Sequence, residues 1–232
     1  MNTTKIGKYL INYQNEKEFH SLKSEIFGEE CYSIKLENDQ PYIIDIGAYI
    51  GLSVIYFKSI YPNSKILAFE PNPYAREILE ENIFINNLAN IDVLPYAITD
   101  ETNRKPFYID TSANNWQSTG SFSKSSWNNE LVNNTEVNVE TRKLSTFLND
   151  TVVDLLKIDV EGAELKILNE CKNFLGSVKA IILEYHPGQK NSLKKILALL
   201  KNNGFKISFF QEGKEIKIPE EGKLLVLKCL RD

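Results

Sequence analysis

The sequence predicts an α/β protein built on a doubly wound, mostly parallel sheet that closes with a C-terminal antiparallel pair. Three observations lead there. First, Tyr42-Ile43-Ile44-Asp45-Ile46 is a β-branched run that ends in a carboxylate and a glycine turn, Gly47-Ala48-Tyr49-Ile50-Gly51, before Leu52, Ile55, Tyr56 and Ile60 recur at helical spacing. Second, Lys65-Ile66-Leu67-Ala68-Phe69 repeats the pattern and ends in Glu70. Third, the same strand-then-acid rhythm returns at Val152–Ile158 before Asp159 and at Ala180–Leu183 before Glu184. Strands and helices alternating in this way imply right-handed parallel crossovers. Ligands of such sheets bind at the carboxyl ends of the strands, where all these acids fall.

Taken in order, residues 1–41 carry Phe19, Leu22, Ile26 and Phe27 at helical spacing and are read as a cap over the mouth of the main domain, residues 42–232. After Glu70 a helix over about 73–87 turns Ala75, Ile78, Leu79 and Ile83 to one face. Ile91–Pro95 reads as a third strand leading into Tyr96–Asp100, and 105–110 and 136–141 as two short strands. Between the last two, 15 of the 25 residues from Thr111 to Thr135 are Asn, Ser or Thr, and both tryptophans, Trp116 and Trp127, are there. Long loops of this kind are commonly functional, and the tryptophans suit stacking on an acceptor. A helix carrying Leu165, Leu168 and Leu175 follows Asp159; another, with Leu193, Ile196, Leu197 and Leu200, ends near Gly204. Phe205–Phe210 and Leu224–Cys229 read as the antiparallel pair.

A chain of 232 residues can bury a sizeable core, and 42% hydrophobic with 25% charged residues is ordinary for a soluble protein. The net charge of −4 argues against a general nucleic-acid binder. No apolar run approaches membrane-span length, and the first 19 residues lack a signal-peptide core. Cys31, Cys171 and Cys229 share no framework spacing, which predicts a reducing, cytoplasmic location.

The glycine turn is Gly-x-x-x-Gly and not the three-glycine form that seats a pyrophosphate on a helix N-terminus. A nucleoside without phosphates fits it better than NAD, and S-adenosylmethionine is such a ligand, with positive charge that Asp45 can face. Glu70 lies 19 residues after Gly51, where an acid accepts hydrogen bonds from ribose hydroxyls. Asp159, Glu161, Glu184 and His186 follow neighbouring strands and converge on one crevice. There His186 is the candidate general base, with an unperturbed imidazole titrating near pH 6.5 and activity expected to fall below it. These four side chains are also acceptable to Mg or Mn, but no metal ion is predicted.

The segments Asp45-Ile46-Gly47-Ala48-x-x-Gly51, Phe69-Glu70-Pro71-Asn72-Pro73, Leu155-Leu156-Lys157-Ile158-Asp159-Val160-Glu161-Gly162-Ala163-Glu164 and Glu184-x-His186 resemble the FkbM-type methyltransferases over about 42–187. The resemblance implies the class I, Rossmann-like S-adenosylmethionine-dependent fold and methyl transfer to a hydroxyl of a sugar, glycan or natural-product acceptor. By the same resemblance Asp45, Gly47, Ala48 and Gly51 surround the methionine end of the cofactor, Glu70 holds the ribose, and Pro71 and Asn72 beside it are also cofactor-binding. Ala97 borders the adenine, while Asp159 and Glu161 line the methyl-transfer site. Two positions depart from the family pattern: Tyr49 stands where Asn is usual, and Leu144-Ser145 where Leu-Asp is usual, with Ser145 expected to cap a helix.

Two other readings compete. A nucleic-acid methyltransferase of this fold carries an Asn/Asp-Pro-Pro-aromatic motif after the fourth strand, where this chain has Asp159-Val160-Glu161-Gly162. The presence of Glu70, Asp159, Glu161 and His186 together argues against a non-catalytic S-adenosylmethionine-binding protein.

Overall fold

A computed structural model describes residues 1–110, 120–122, 134–149, 151–188, 191–220 and 222–231. Most of the loop from 111 to 135, with Trp116 and Trp127, lies outside the described residues.

At the N-terminus β1 (Asn2–Ile6) and β2 (Tyr9–Tyr13) form an antiparallel hairpin. Asn15 caps α1 (Glu16–Lys23) by accepting from the Glu18 amide, and a π-helical turn, Ser24–Gly28, follows. The predicted alternation then begins with β3 (Tyr42–Ile46), α2 (Leu52–Ile60), β4 (Lys65–Phe69), α3 (Pro73–Ile85) and β5 (Ile91–Leu94). Helix α2 is buried from Leu52 to Lys58, because the sheet covers one side and the N-terminal segment the other, with Phe27 edge-on to Tyr56. Its sequence is accordingly mostly apolar, and the buried Ser53 and Lys58 donate to Asp45 and to the Ser64 carbonyl. Helix α3 begins on Asn72, whose side chain accepts from the Tyr74 and Ala75 amides, with Pro73 in the first turn. Further along it, Asn82 and Asn86 each bond both backbone groups of a β2 residue, Asn12 and Leu10 respectively. Residues four apart on a helix and two apart on a strand advance by similar distances, so the hairpin docks in register.

Pro95 breaks the segment that reads as continuous in sequence. It cannot donate to a ladder, and the chain leaves the main sheet there. Residues Tyr96–Thr99 form β6, which joins β7 (Asn103–Asp110) and β8 (Asn134–Lys143) in a separate sheet of order β6-β8-β7. In α4 (Ser145–Leu148) the capping position is Leu144, so Ser145 does not act as the expected cap. Its hydroxyl instead donates to Glu170 at 2.5 Å, tying α4 to α5 (Glu164–Cys171).

Strands β9 (Val153–Ile158) and β10 (Val178–Tyr185) flank α5, and α6 (Leu193–Asn202) leads to β11 (Lys206–Gln211), a short edge strand β12 (Lys214–Ile216) and β13 (Leu225–Leu230). The main sheet has the order β12-β11-β13-β10-β9-β3-β4-β5. Pairs from β10 to β5 are parallel, while β13 pairs antiparallel with both β10 and β11. Core side chains cover both faces of the sheet, with Leu155 on one and Leu156 on the other, which is why the strands read as unbroken apolar runs. From β3 the chain winds outward through β4 and β5 and then returns to β9 on the other flank, so the strand order reverses between β3 and β9. That reversal opens a crevice at their carboxyl ends. Among the described residues no helix is long and apolar enough to cross a membrane.

Candidate active site

The crevice is built on a contact that only glycine allows. Gly47 has φ +80°, and a Cβ there would lie 1.9 Å from the backbone oxygen of Asp159. Beneath it is Lys157, a buried ammonium and the one cation of β9. Its Nζ donates to the Gly47 carbonyl at 2.7 Å and lies 3.0 Å from Asp45 Oδ1 and 3.5 Å from Asp159 Oδ2. Burial opposes that charge, but Asp45 and Asp159 outweigh it and raise the lysine above its ordinary range. The Ser53 hydroxyl donates to Asp45 Oδ2 at 2.6 Å. Asp45, predicted to face a ligand's positive charge, is thus enclosed and lines neither cavity described below. It holds Lys157 in place. Gly51 likewise lines neither cavity: it opens α2 at φ +90° against the Leu79 side chain.

Two cavities of about 330 and 340 Å³ meet over the crevice and share Gly47, Tyr49, Glu70, Asp159 and Glu161 as a common wall. Pro71, Asn72 and Ala97 line the first, among apolar neighbours such as Phe69 and Ile98. Ala48, Lys157, Glu184 and His186 line the second, which Glu25, Ile26 and Tyr32 of the N-terminal segment also border. Glu70 accepts from the Tyr49 amide on one oxygen and the Asn72 amide on the other, both at 2.8 Å. Burial pushes its carboxyl up to about 7, with the two amides opposing. Tyr49 has φ +47°, a conformation asparagine tolerates better than most residues; here the tyrosine hydroxyl is anchored by donating to Glu18 at 2.7 Å.

His186 follows directly on β10 and is 3% exposed. Its Nδ1 lies 2.8 Å from Oε1 of the buried Glu164, whose other oxygen accepts from Asn191. Nε2 faces Glu161 Oε2 at 3.7 Å, Glu184 Oε1 at 3.8 Å and Asp159 Oδ1 at 3.9 Å. Tyr32 lies 3.3 Å from the remaining oxygens, Asp159 Oδ2 and Glu184 Oε2, and its single hydroxyl proton is shared between them. The four predicted side chains therefore do converge. The expectation that the imidazole titrates near neutrality does not hold, however. Burial lowers its proton affinity, but Glu161, Glu164 and Glu184 outweigh that and raise it well above the ordinary histidine value. With nothing bound, the surrounding carboxylates favour the protonated imidazole. Burial, reinforced by Asp159, also pushes the Glu184 carboxyl above the usual carboxylate range.

Three further residues complete the site without having been predicted for it. The signal for Lys157 was a lone cation inside a mostly apolar strand. Glu164 stood within the acidic run Asp159–Glu164 but without an assigned role. Tyr32 carried no local signal, since it meets Asp159 across 127 positions of sequence.

Comparison with known proteins bears on the family and the fold. The model of the Methyltransferase FkbM domain matches residues 45–207. Methyltransferase sdnD of Sordaria araneosa is 29% identical over 218 residues, spanning 82% of this chain and 83% of that protein. The 2-O-methyltransferase NoeI of Sinorhizobium fredii is 29% identical over 163 residues, spanning 65% of each. Among solved structures, the FkbM methyltransferase of Methylobacillus flagellatus shares the fold with a TM-score of 0.56 at 14% identity, over 82% of this chain and 44% of that one. A class I methyltransferase sheet, a glycine crevice at its reversal point and a domain match running from Asp45 into β11 lead to one conclusion: the chain belongs to the FkbM methyltransferase family.

Proposed function

We propose that the protein transfers a methyl group from S-adenosylmethionine to a hydroxyl oxygen of a sugar, glycan or other small-molecule acceptor. The observation that carries this reading is the pair of cavities joined at Asp159 and Glu161. One is suited to the adenosine half of the cofactor and the other to the acceptor.

The residues fit that cofactor. Each Glu70 oxygen accepts one backbone amide and keeps a second lone pair for a ribose hydroxyl. Pro71, Asn72 and Ala97 border the adenine, and Gly47 and Ala48 let the methionine end approach the backbone. When bound, S-adenosylmethionine supplies an electrophilic methyl on a sulfonium. Asp159 and Glu161, on the shared wall, face that positive charge. The proton of the acceptor hydroxyl passes to Glu161, whose backbone at φ +54° holds its carboxylate between the cavities. Asp159, Glu184 and His186 hold the acceptor oxygen. Residues 1–41 act as the cap of the acceptor cavity, through Glu25, Ile26 and Tyr32. The name of the relative NoeI, a 2-O-methyltransferase, supports oxygen as the acceptor atom. The three buried free cysteines suit a reducing cytoplasm.

The test is release of S-adenosylhomocysteine from S-adenosylmethionine in the presence of a panel of sugars, glycans and hydroxylated natural products. Release should depend on a free hydroxyl, and Glu161→Gln should lower turnover by about 10²–10⁴-fold with cofactor affinity kept within a few-fold. Turnover confined to amine or nucleic-acid acceptors would overturn the reading.

A further inference from the structure

We infer that Asp159, Glu184 and His186 form a binding site for one divalent cation of the Mg²⁺ or Mn²⁺ class on the floor of the second cavity. One ligand atom from each side chain lies within 4.8 Å of the others. Around such a cation, held at about 2.0–2.2 Å, ligand atoms lie roughly 3–4 Å apart. The separations of His186 Nε2 from Asp159 Oδ1 and Glu184 Oε1, 3.9 and 3.8 Å, fall in that range.

Each ligand is also fixed from behind. Glu164, fully buried and itself bonded to Asn191, holds Nδ1 of the imidazole, so Nε2 points into the cavity, where a bound cation takes the place of its proton. This is the carboxylate–histidine pairing that orients a metal-binding imidazole. Tyr32 bonds the outer oxygens of Asp159 and Glu184, turning Oδ1 and Oε1 toward Nε2. Glu161 and Glu25 also line this cavity. The ligand set is two carboxylates and one imidazole, which selects hard or borderline divalent ions, and the remaining positions face the cavity, where the acceptor's hydroxyls would enter. The inference deepens the proposed function by giving the acceptor a cation to bind, and in that respect it rests on the second cavity being the acceptor site. Cation binding itself is measurable without any acceptor.

The experiment is titration of the full chain with Mn²⁺ alone, followed by the electron paramagnetic resonance signal of the free ion, with pulsed spectra of the bound ion. One Mn²⁺ should bind per chain at micromolar concentration, and its spectrum should show coupling to an imidazole nitrogen. His186→Gln should abolish that coupling and weaken binding at least ten-fold, and Glu184→Gln should weaken it similarly. Glu164→Gln, which acts through the histidine, should weaken binding by about 10–100-fold with the nitrogen coupling kept. No binding below millimolar Mn²⁺, or bound Mn²⁺ without nitrogen coupling in the wild type, overturns the site; the wild-type spectrum does not depend on whether any variant folds. Calorimetry with S-adenosylhomocysteine, run in parallel without metal, separates the two readings: cofactor binding without Mn²⁺ binding removes the cation alone.

Discussion

In the proposed cofactor complex, Glu70 is the residue whose protonation would couple most directly to ligand binding. Burial, opposed by the Asn72 and Tyr49 amides, raises its carboxyl from the ordinary 4.5 to about 7. A raised carboxyl binds its proton more tightly folded than unfolded, so the ligand-free protein loses stability as pH rises from 4.5 through about 7. The loss is on the order of 1–3 kcal/mol. Glu70→Gln removes this pH dependence but keeps only one of the two amide bonds, since glutamine offers a single acceptor oxygen, so its stability deficit relative to wild type should narrow from pH 5 to pH 8 while cofactor affinity falls. Ribose hydroxyls donate to the charged carboxylate, so the wild-type affinity for S-adenosylhomocysteine should rise with pH through about 7. The corresponding curve for Glu70→Gln should be flat over the same range. A wild-type affinity indifferent to pH there would take Glu70 out of the ribose site.

At the level of elements, the two glycines of the β3–α2 turn do different work, although sequence alone treats them as one fingerprint. Gly47 lets the ends of β3 and β9 meet, and an added Cβ would strike the Asp159 backbone at 1.9 Å. Gly51 packs on α3, where an added Cβ would lie 2.5 Å from the movable end of the Leu79 side chain. Both have positive φ, so alanine strains either position. Only at Gly47 must two strand ends separate, and with them the Lys157 bond to the Gly47 carbonyl. Gly47→Ala should therefore cost about 2–4 kcal/mol in chemical denaturation and Gly51→Ala about 1–2 kcal/mol. A loss in Gly47→Ala no greater than in Gly51→Ala would contradict this division of roles.

Across the whole molecule, what the sequence disclosed and what it hid follow from the range of the interactions. Strands buried on both faces write themselves as apolar runs, so Ile43–Ile46 and Leu155–Ile158 were legible, as were the acids at their ends. The departure at Pro95 was less so, because Ile91 to Thr99 keeps one strand-like texture while its two halves enter different sheets. The N-terminal hairpin depends on Asn82 and Asn86, 70 and more positions away, and leaves no local period of its own. Convergence of Asp159, Glu161, Glu184 and His186 could be read from strand order, but the proton on His186 could not. It is set by Glu164 and by carboxylates brought in from neighbouring strand ends. Likewise the enclosure of Asp45 depends on Lys157 in the adjacent strand, a pairing visible only once β3 and β9 lie side by side.

The central claim is that the joined cavities hold an S-adenosyl cofactor over a glycine crevice lacking the pyrophosphate form. Calorimetric titration of the full chain with S-adenosylhomocysteine and, separately, with NAD tests it most directly. One S-adenosylhomocysteine should bind per chain, with NAD far weaker or undetected. Tighter binding of NAD, or no heat with S-adenosylhomocysteine, would contradict the account.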